Sequence, residues 1–438
     1  MEAPRPKPLP EEDVQDSPQA GGGRGDSRAR EARGAKEHPG GVRAEGAGAV
    51  PKGRSIPTDA AVVVIGAGIM GLATAFEMAK LGVEDIVVVE KGYLCSGASG
   101  RNGGGVRAQW SSEENVRLMK ESIRLCREFA TKMRINVWFR QGGYLFLARS
   151  EAMAERLDAS ARLQRDHGLP TRMIDPAECK KLVPELDASR IVAASHNPDD
   201  GVVFPWPFVW GYARACEELG VPIHTFTTVT ELETDGRRIT AVVTDRGRIR
   251  TPLVINATGA WSPEIARLVD LELPNHPHRH EICSTEPLKP FLKPFVGDLE
   301  SGLYCSQSMR GELVGGISNP LVPEGLDQES SLRFLALYAR ALTRTMPILG
   351  GVRVLRQWSG CYDITPDGSP IVGPVDDVEG FVQICGFMGH GFMIAPIMGL
   401  LMARYLTEQP DADHALFDKW NLRRFREGRL LSETMILG

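Results

Sequence analysis

The feature that most constrains this chain is a strand–turn–helix–strand run that begins at Ala60. Residues 60–65 (AAVVVI) are continuous, apolar and largely β-branched, which predicts a buried parallel strand. Gly66, Ala67, Gly68, Ile69, Met70 and Gly71 follow at once, then a helix-favouring run to Lys80, then Ile86–Val89 ending on Glu90. Each part has a physical task. Gly66 permits a tight turn, Gly68 lets the backbone approach a pyrophosphate, and Gly71 allows helix to pack closely on strand. The helix start at Ile69 and Met70 offers unpaired N–H groups and partial positive charge to phosphates. Glu90 lies about 20 residues beyond the last glycine, where a carboxylate accepts hydrogen bonds from ribose hydroxyls and disfavours a 2′-phosphate. Strand, turn, helix, second strand and acid in this order are the context the glycine motif demands. The motif alone leaves NAD and FAD open.

A chain of 438 residues, 42% hydrophobic and 24% charged, can build one large or two interlocked domains without disulfide or metal staples. Its net charge of -5 argues against nucleic acid, whose binders carry a basic footprint. Eight scattered cysteines without a C-x-x-C pair read as small buried residues in a reducing compartment, which points to the cytoplasm. Residues 1–56 are rich in Pro, Gly and alternating charge, and lack the apolar core of a secretory signal. They are expected to form a disordered tail. The apolar stretch 381–405 contains Gln383, His390, Arg404 and several glycines, so no membrane span is assigned. His276, His278 and His280 alternate as ligands on a strand face would, but no fourth ligand stands at a usual spacing. They are read as a polar strand entering a sheet, and no metal is expected.

Three further segments select flavin. Lys91–Arg107 (KGYLCSGASGRNGGGVR) is a long loop of small and polar residues, among them Gly97, Ala98, Ser99, Arg101, Asn102, Gly103 and Gly104, suited to close approach to a ligand. Residues 254–261 (VINATGAW) form a strand ending in a small-residue turn, and 386–393 (GFMGHGFM) lead into an apolar helix. These segments, in this order, resemble the D-amino-acid oxidase-like FAD-dependent oxidoreductases, a family that includes glycine oxidase, the sarcosine oxidases and related amine dehydrogenases. The likeness runs from residue 60 to about 410 and is strongest to the β subunits of sarcosine oxidase and proline dehydrogenase, with Gly311–Gly315, Asp200, Gly201 and Pro205 contributing.

The resemblance implies FAD as cofactor and an α/β fold, in which a Rossmann-like FAD-binding domain is interleaved with a mixed-sheet α+β substrate domain. Residues 57–135, 201–270 and 356–438, the last with a C-terminal helix, would form the first; 136–200 and 271–355 would form the second. Tyr144–Leu147 and Leu303–Cys305 would be strands of the second sheet. The loop from Ser96 to Gly104 would wrap the pyrophosphate and reach the isoalloxazine, with Lys91 also a cofactor contact, and the backbone of Val229 would meet the adenine. Ala257, Thr258 and Gly259, followed by Trp261, would line the phosphate side. Gly389, His390 and Gly391, followed by Phe392 and Met393, would set N–H groups and a helix start beside the flavin N1–C2=O edge, where reduced flavin is negative.

The activity implied is oxidation of the C–N bond of a small amino acid or N-alkyl amino acid, sarcosine- or proline-like, by hydride transfer to flavin N5. Such a site must fix a carboxylate, keep the amine neutral and exclude water. An arginine fork suits the carboxylate. Glycine and D-amino-acid oxidases carry that arginine just after a Trp-x-Gly, where this chain has Tyr362 behind Trp358, Ser359, Gly360 and Cys361. The sarcosine oxidases use an arginine at the end of the flavin loop, matched by Arg107, with a tyrosine matching Tyr362. Arg107, Tyr362 and His390 are therefore the catalytic candidates. Met393 replaces a carboxylate-holding lysine of that branch. Gly360 replaces its flavin-attaching cysteine, with Cys361 one place late, so a noncovalent flavin is expected. Leu313 replaces the lysine that promotes reaction with oxygen, which favours a dehydrogenase delivering electrons to another carrier. No histidine near Phe204–Pro207 could hold the covalent FMN of the heterotetramers. A partner subunit or electron carrier is suggested by the resemblance alone. The alternatives are a flavoprotein kept for assembly, an oxidase of glycine or D-amino acids, and an NAD-linked dehydrogenase.

Overall fold

The computed structural model describes residues 55–437, so the expected tail at 1–56 lies, apart from its last two residues, outside the described residues. Val62–Ile65 pairs in parallel with Ile86–Val89 on one side and Val254–Asn256 on the other. Ile223–His224 and Val378–Cys385 extend the parallel sheet outward, and Val229–Asp235, Arg238–Thr244 and Gly247–Arg250 add an antiparallel meander. Ile371–Val375 completes nine strands. The central strands are buried on both faces, which is why they read as unbroken Val and Ile. The helices Ile69–Lys80 and Gly391–Leu406 pack together on one face, so closely that a Cβ at Gly399 would come within 2.7 Å of Ala73.

The second sheet has eight strands, in the order Val354–Ile364, His276–Pro287, Glu312–Gly316, Leu303–Gln307, Phe295–Asp298, Tyr144–Ala148, Ala193–Asn197 and Arg172–Ile174. It is mixed, because Phe295–Asp298 runs parallel to Tyr144–Ala148 while its other pairs are antiparallel. Alternation sorts its side chains. Tyr144 and Phe146 join the core shared with the flavin-loop side, whereas Leu145 and Leu147 join a separate core under the helix Leu332–Thr345.

Two details differ from the sequence reading. Val354–Ile364 is one continuous strand of the second sheet, so the boundary expected at 355/356 cuts through it. After Leu406 the chain forms two short helices, His414–Lys419 and Arg423–Arg426, and then runs without helix or strand over 429–437. No helix among the described residues is long and apolar enough to cross a membrane. All eight cysteines are unpaired and buried.

Candidate active site

The glycine turn between the first strand and helix is shaped by contacts that exclude side chains. Gly66 has φ +106°, and a Cβ there would lie 2.6 Å from the Ala257 carbonyl oxygen. Gly71 is blocked by the Gly66 carbonyl oxygen and Val64, so it serves helix–strand packing and does not line a cavity. Gly68 faces the opening, with only Ser99 Oγ near its missing Cβ. Glu90 accepts from the backbone N–H of Ala67 at 3.0 Å and of Gly92 at 2.7 Å, tying the end of the second strand to the glycine turn and to the start of the long loop. The Ile69 N–H donates to Ser99 Oγ at 2.9 Å, which brings the long loop onto the helix N-terminus.

From this turn a cavity of about 640 Å³ runs toward the second sheet. Gly66, Gly68, Ile69, Met70, Glu90 and Lys91 line its first stretch, with Val229, Ala257, Thr258, Gly259 and Trp261. Gly97, Ala98, Ser99, Arg101, Asn102, Gly103 and Gly104 follow, and Arg107, Gly360, Tyr362 and the residues Gly389–Met393 close the far part. Every sequence-derived site residue except Gly71 thus borders one space. The cradle fits an extended dinucleotide: nothing lies within 4 Å of a Cβ built on Gly259, and Gly97 and Gly103 have only a ring carbon at 3.7 and 3.5 Å. Arg101 spans the loop and the late strand, donating to the carbonyls of Ser96 at 2.9 Å and Ser359 at 3.0 Å, and its stem packs on Gly360. Gly389 is required by a different neighbour, since its Cβ would fall 2.6 Å from the Tyr362 ring.

The far part is a chamber of aromatic rings around one guanidinium. Arg107 is 3% exposed, its guanidinium lies 3.7 Å from the Trp110 ring centre, and it donates to the carbonyls of Gln109 and Met435. Behind it, the buried carboxylate of Asp200 accepts from the Ala108 N–H at 2.7 Å, Asn197 at 2.9 Å and Gln109 at 3.1 Å. Burial pushes Asp200 up to about 7, against those hydrogen bonds and the pull of Arg107. Tyr362 stacks on His280 with ring centres 4.6 Å apart, and His280 Nε2 meets the Tyr304 hydroxyl at 3.0 Å. Burial holds His280 and His390 down at about 3, with His278 and Arg107 respectively as secondary causes, and it raises the Tyr304 and Tyr362 phenols. These four groups are therefore neutral near pH 7. His390 precedes the helix Gly391–Leu406, and its Nε2 has no hydrogen-bond partner among the described residues.

His280, Tyr304, Tyr144 and Phe295 also border the chamber, as do Ile436 and Leu437. The sequence reading placed Tyr144 and Tyr304 only as strand residues and His280 only as a polar strand position. The signal available was the alternation that puts His280 two residues ahead of Ile282, which shares its face. Leu313 requires a correction. It is buried with Cys283, Cys305 and Phe334 in the core under Leu332–Thr345, on the sheet face turned away from the chamber. A leucine there is remote from the chamber and does not favour a dehydrogenase over an oxidase.

A family profile described as "FAD dependent oxidoreductase" (DAO) matches residues 61–405. Sarcosine oxidase subunit beta of Rhodobacter capsulatus is 31% identical over 384 residues, covering 86% of this chain and 91% of that one. Human mitochondrial sarcosine dehydrogenase is 28% identical over 391 residues, covering 85% of this chain but 42% of its own length. The crystal structure of L-proline dehydrogenase from P. horikoshii superposes with a TM-score of 0.80 at 33% identity, covering 86% of this chain and 100% of the other.

Proposed function

This chain belongs to the DAO family of FAD-dependent oxidoreductases, and from that premise we propose that it oxidises the C–N bond of a small amino acid or N-alkyl amino acid, sarcosine- or proline-like. The observation that carries the proposal is Arg107, a buried cation in a chamber whose histidines and tyrosines are neutral. Arg107 donates to two backbone carbonyls and to no carboxylate among the described residues, and a guanidinium fork binds the two oxygens of a substrate carboxylate together. The rings of Tyr144, Phe295, Tyr304 and Tyr362 exclude water and favour the uncharged amine over the ammonium.

Bound FAD supplies the hydride acceptor. The residues from Gly66 to Gly104 would hold its dinucleotide part, with Val229 and Ala257–Trp261. Gly389–Met393 would set the start of the helix Gly391–Leu406 against the ring system, where fixed N–H dipoles stabilise negative charge. His390 takes part through its backbone, because its ring is neutral and packs 4.5 Å from Trp110. We assign no covalent attachment, since Gly360 has no side chain and the Cys361 thiol lies near the carbonyls of Gly325 and Asp327.

A partner subunit belongs to the same proposal. The Rhodobacter relative is by name a subunit, and this chain exposes two aromatic pairs, Trp138 on Phe204 and Trp210 on Trp206, with ring centres 5.3 and 5.8 Å apart. The unpaired cysteines support a reducing compartment, and we assign the protein to the cytoplasm. The test is anaerobic titration of the yellow protein with sarcosine, dimethylglycine, proline, glycine and D-amino acids. Bleaching of the flavin by a secondary amino acid is expected. A flavin that none of them reduces would sink the proposal.

A further inference from the structure

Residues 429–437 have neither helix nor strand, yet they are tied to the chamber at several points. The Glu433 carboxylate, 7% exposed, sits on the first turn of the helix Glu113–Met133. It accepts from the backbone N–H of Ser111 and Ser112, both at 3.1 Å, from both serine hydroxyls, and from Asn115 Nδ2 at 3.1 Å. A carboxylate on a helix N-terminus is held by those donors and by the dipole. Glu433 also receives the Met435 N–H at 2.8 Å, which fixes the turn that follows. Met435 is buried and its carbonyl accepts from Arg107 Nη2. Beyond it, Ile436 and Leu437 border the chamber, and the Leu437 carbonyl lies 3.5 Å from the Tyr362 hydroxyl.

We infer that Met435, Ile436 and Leu437, seated by Glu433, form the specificity-determining wall of the substrate chamber. The inference rests on the amino-acid reading of that chamber. The Met435 and Gln109 carbonyls engage two donors of the Arg107 fork and fix its plane on Trp110, leaving three N–H groups for a substrate carboxylate. Ile436 and Leu437 then limit the bulk that the substrate can carry beside that carboxylate. Leu437 is itself backed by the second sheet, since its Cδ2 lies against Gly297. Glu433 touches no substrate and is a positioning residue, acting through Met435 on Arg107.

The test uses the full-length flavin-loaded protein and two carboxylates that have no nitrogen to oxidise, cyclopentanecarboxylate and cyclohexanecarboxylate. Their dissociation constants are read from the perturbation of the flavin absorbance. Leu437→Ala is expected to shift the ratio of the two constants about tenfold toward the larger ring, the usual worth of a methylene-scale change in an apolar pocket. Glu433→Gln should weaken both ligands by a similar factor and speed amide hydrogen exchange over 433–437. Loss of melting temperature in Glu433→Gln with both constants unchanged would show a merely structural tie and overturn the inference, as would an unaltered ratio in Leu437→Ala. Because binding and not turnover is read, the inference stands or falls even where no amino acid bleaches the flavin. That second result counts against the proposed function alone.

Discussion

Burial does not neutralise Arg107, because a guanidinium keeps its proton at any pH where proteins fold. Its charge is met by two backbone carbonyls, the Trp110 ring and, farther off, the carboxyl groups of Glu433 and Asp200. Arg107→Lys keeps the charge and loses the fork. It should therefore raise KM for a carboxylate substrate by about 10- to 100-fold, the cost of one or two charge-assisted hydrogen bonds, with the flavin spectrum retained. An unchanged KM in steady-state turnover with an artificial electron acceptor would remove Arg107 from substrate binding. Asp200 gives a pH prediction. Its carboxyl ionises near 3.8 in the unfolded chain and at about 7 in the folded one, so between those values the folded chain holds the extra proton. Its contribution to stability is complete below the lower value and is lost as pH rises through the upper one. Asp200→Asn cannot titrate, so the melting temperature of the wild type relative to this variant should fall from about pH 5 to about pH 8. A difference independent of pH would mean that Asp200 is ionised throughout.

Among the elements, the first strand, glycine turn and helix carry their instructions locally, and Gly68 is the place where they meet the ligand. A Cβ on Gly68 would sit 3.1 Å from Ser99 Oγ, at the hydroxyl that receives the Ile69 N–H. Gly68→Ala should therefore lower FAD affinity at least tenfold by equilibrium dialysis while far-UV circular dichroism stays the same, since this backbone has an ordinary φ of -74°. Equal affinity would show that the ligand keeps clear of this turn. The same locality explains what could be read from the sequence. Turn, helix start and acidic strand end are written within 31 residues, 60–90, and the structure assembles them without help from elsewhere. The strand Val354–Ile364 was cut in two because its pairing partner, His276–Pro287, lies about 80 residues away and nothing local marks its extent. Leu313 was misplaced because a strand turns its side chains to opposite faces at each residue, so a likeness that slips by one position selects the wrong face. Glu433, Met435 and Leu437 belong to no motif, and only the folded chain brings them to Ser112, Arg107 and Tyr362. The buried pair Arg424–Asp367, at 2.8 Å, anchors the start of that segment, with the Leu431 N–H also on Asp367. Removing one partner as Asp367→Asn should cost about 3–5 kcal/mol in denaturant unfolding, because the remaining guanidinium stays buried and charged. A loss under about 1 kcal/mol would place the pair among surface-like contacts.

Across the whole described chain, the two sheets cannot be separated by a single cut. Residues 62–89, 223–256 and 371–385 supply the parallel sheet, while 144–197 and 276–364 supply the second, so the chain passes from one to the other four times. The cavity lies along this seam, with the glycine turn of one sheet at its first part and Tyr144, His280 and Tyr304 of the other at its far part. A ligand filling it touches both sheets and binds the native state only, so it stabilises the whole unit by mass action, about 2.7 kcal/mol at a hundredfold excess over its dissociation constant. FAD removal should therefore lower one common melting transition, and added FAD should raise it in proportion to the logarithm of its concentration. The tryptophans allow this to be followed in two places, since Trp261 borders the cavity beside the parallel sheet and Trp358 lies in the second. Single-tryptophan variants keeping one or the other should melt at one shared temperature without FAD and at one shared, higher temperature with it. If FAD raised the transition seen by Trp261 and left that seen by Trp358 in place, the sheets would be independent folding units. The chamber at Arg107 would then be formed by docking two finished halves, which the interleaved chain path argues against.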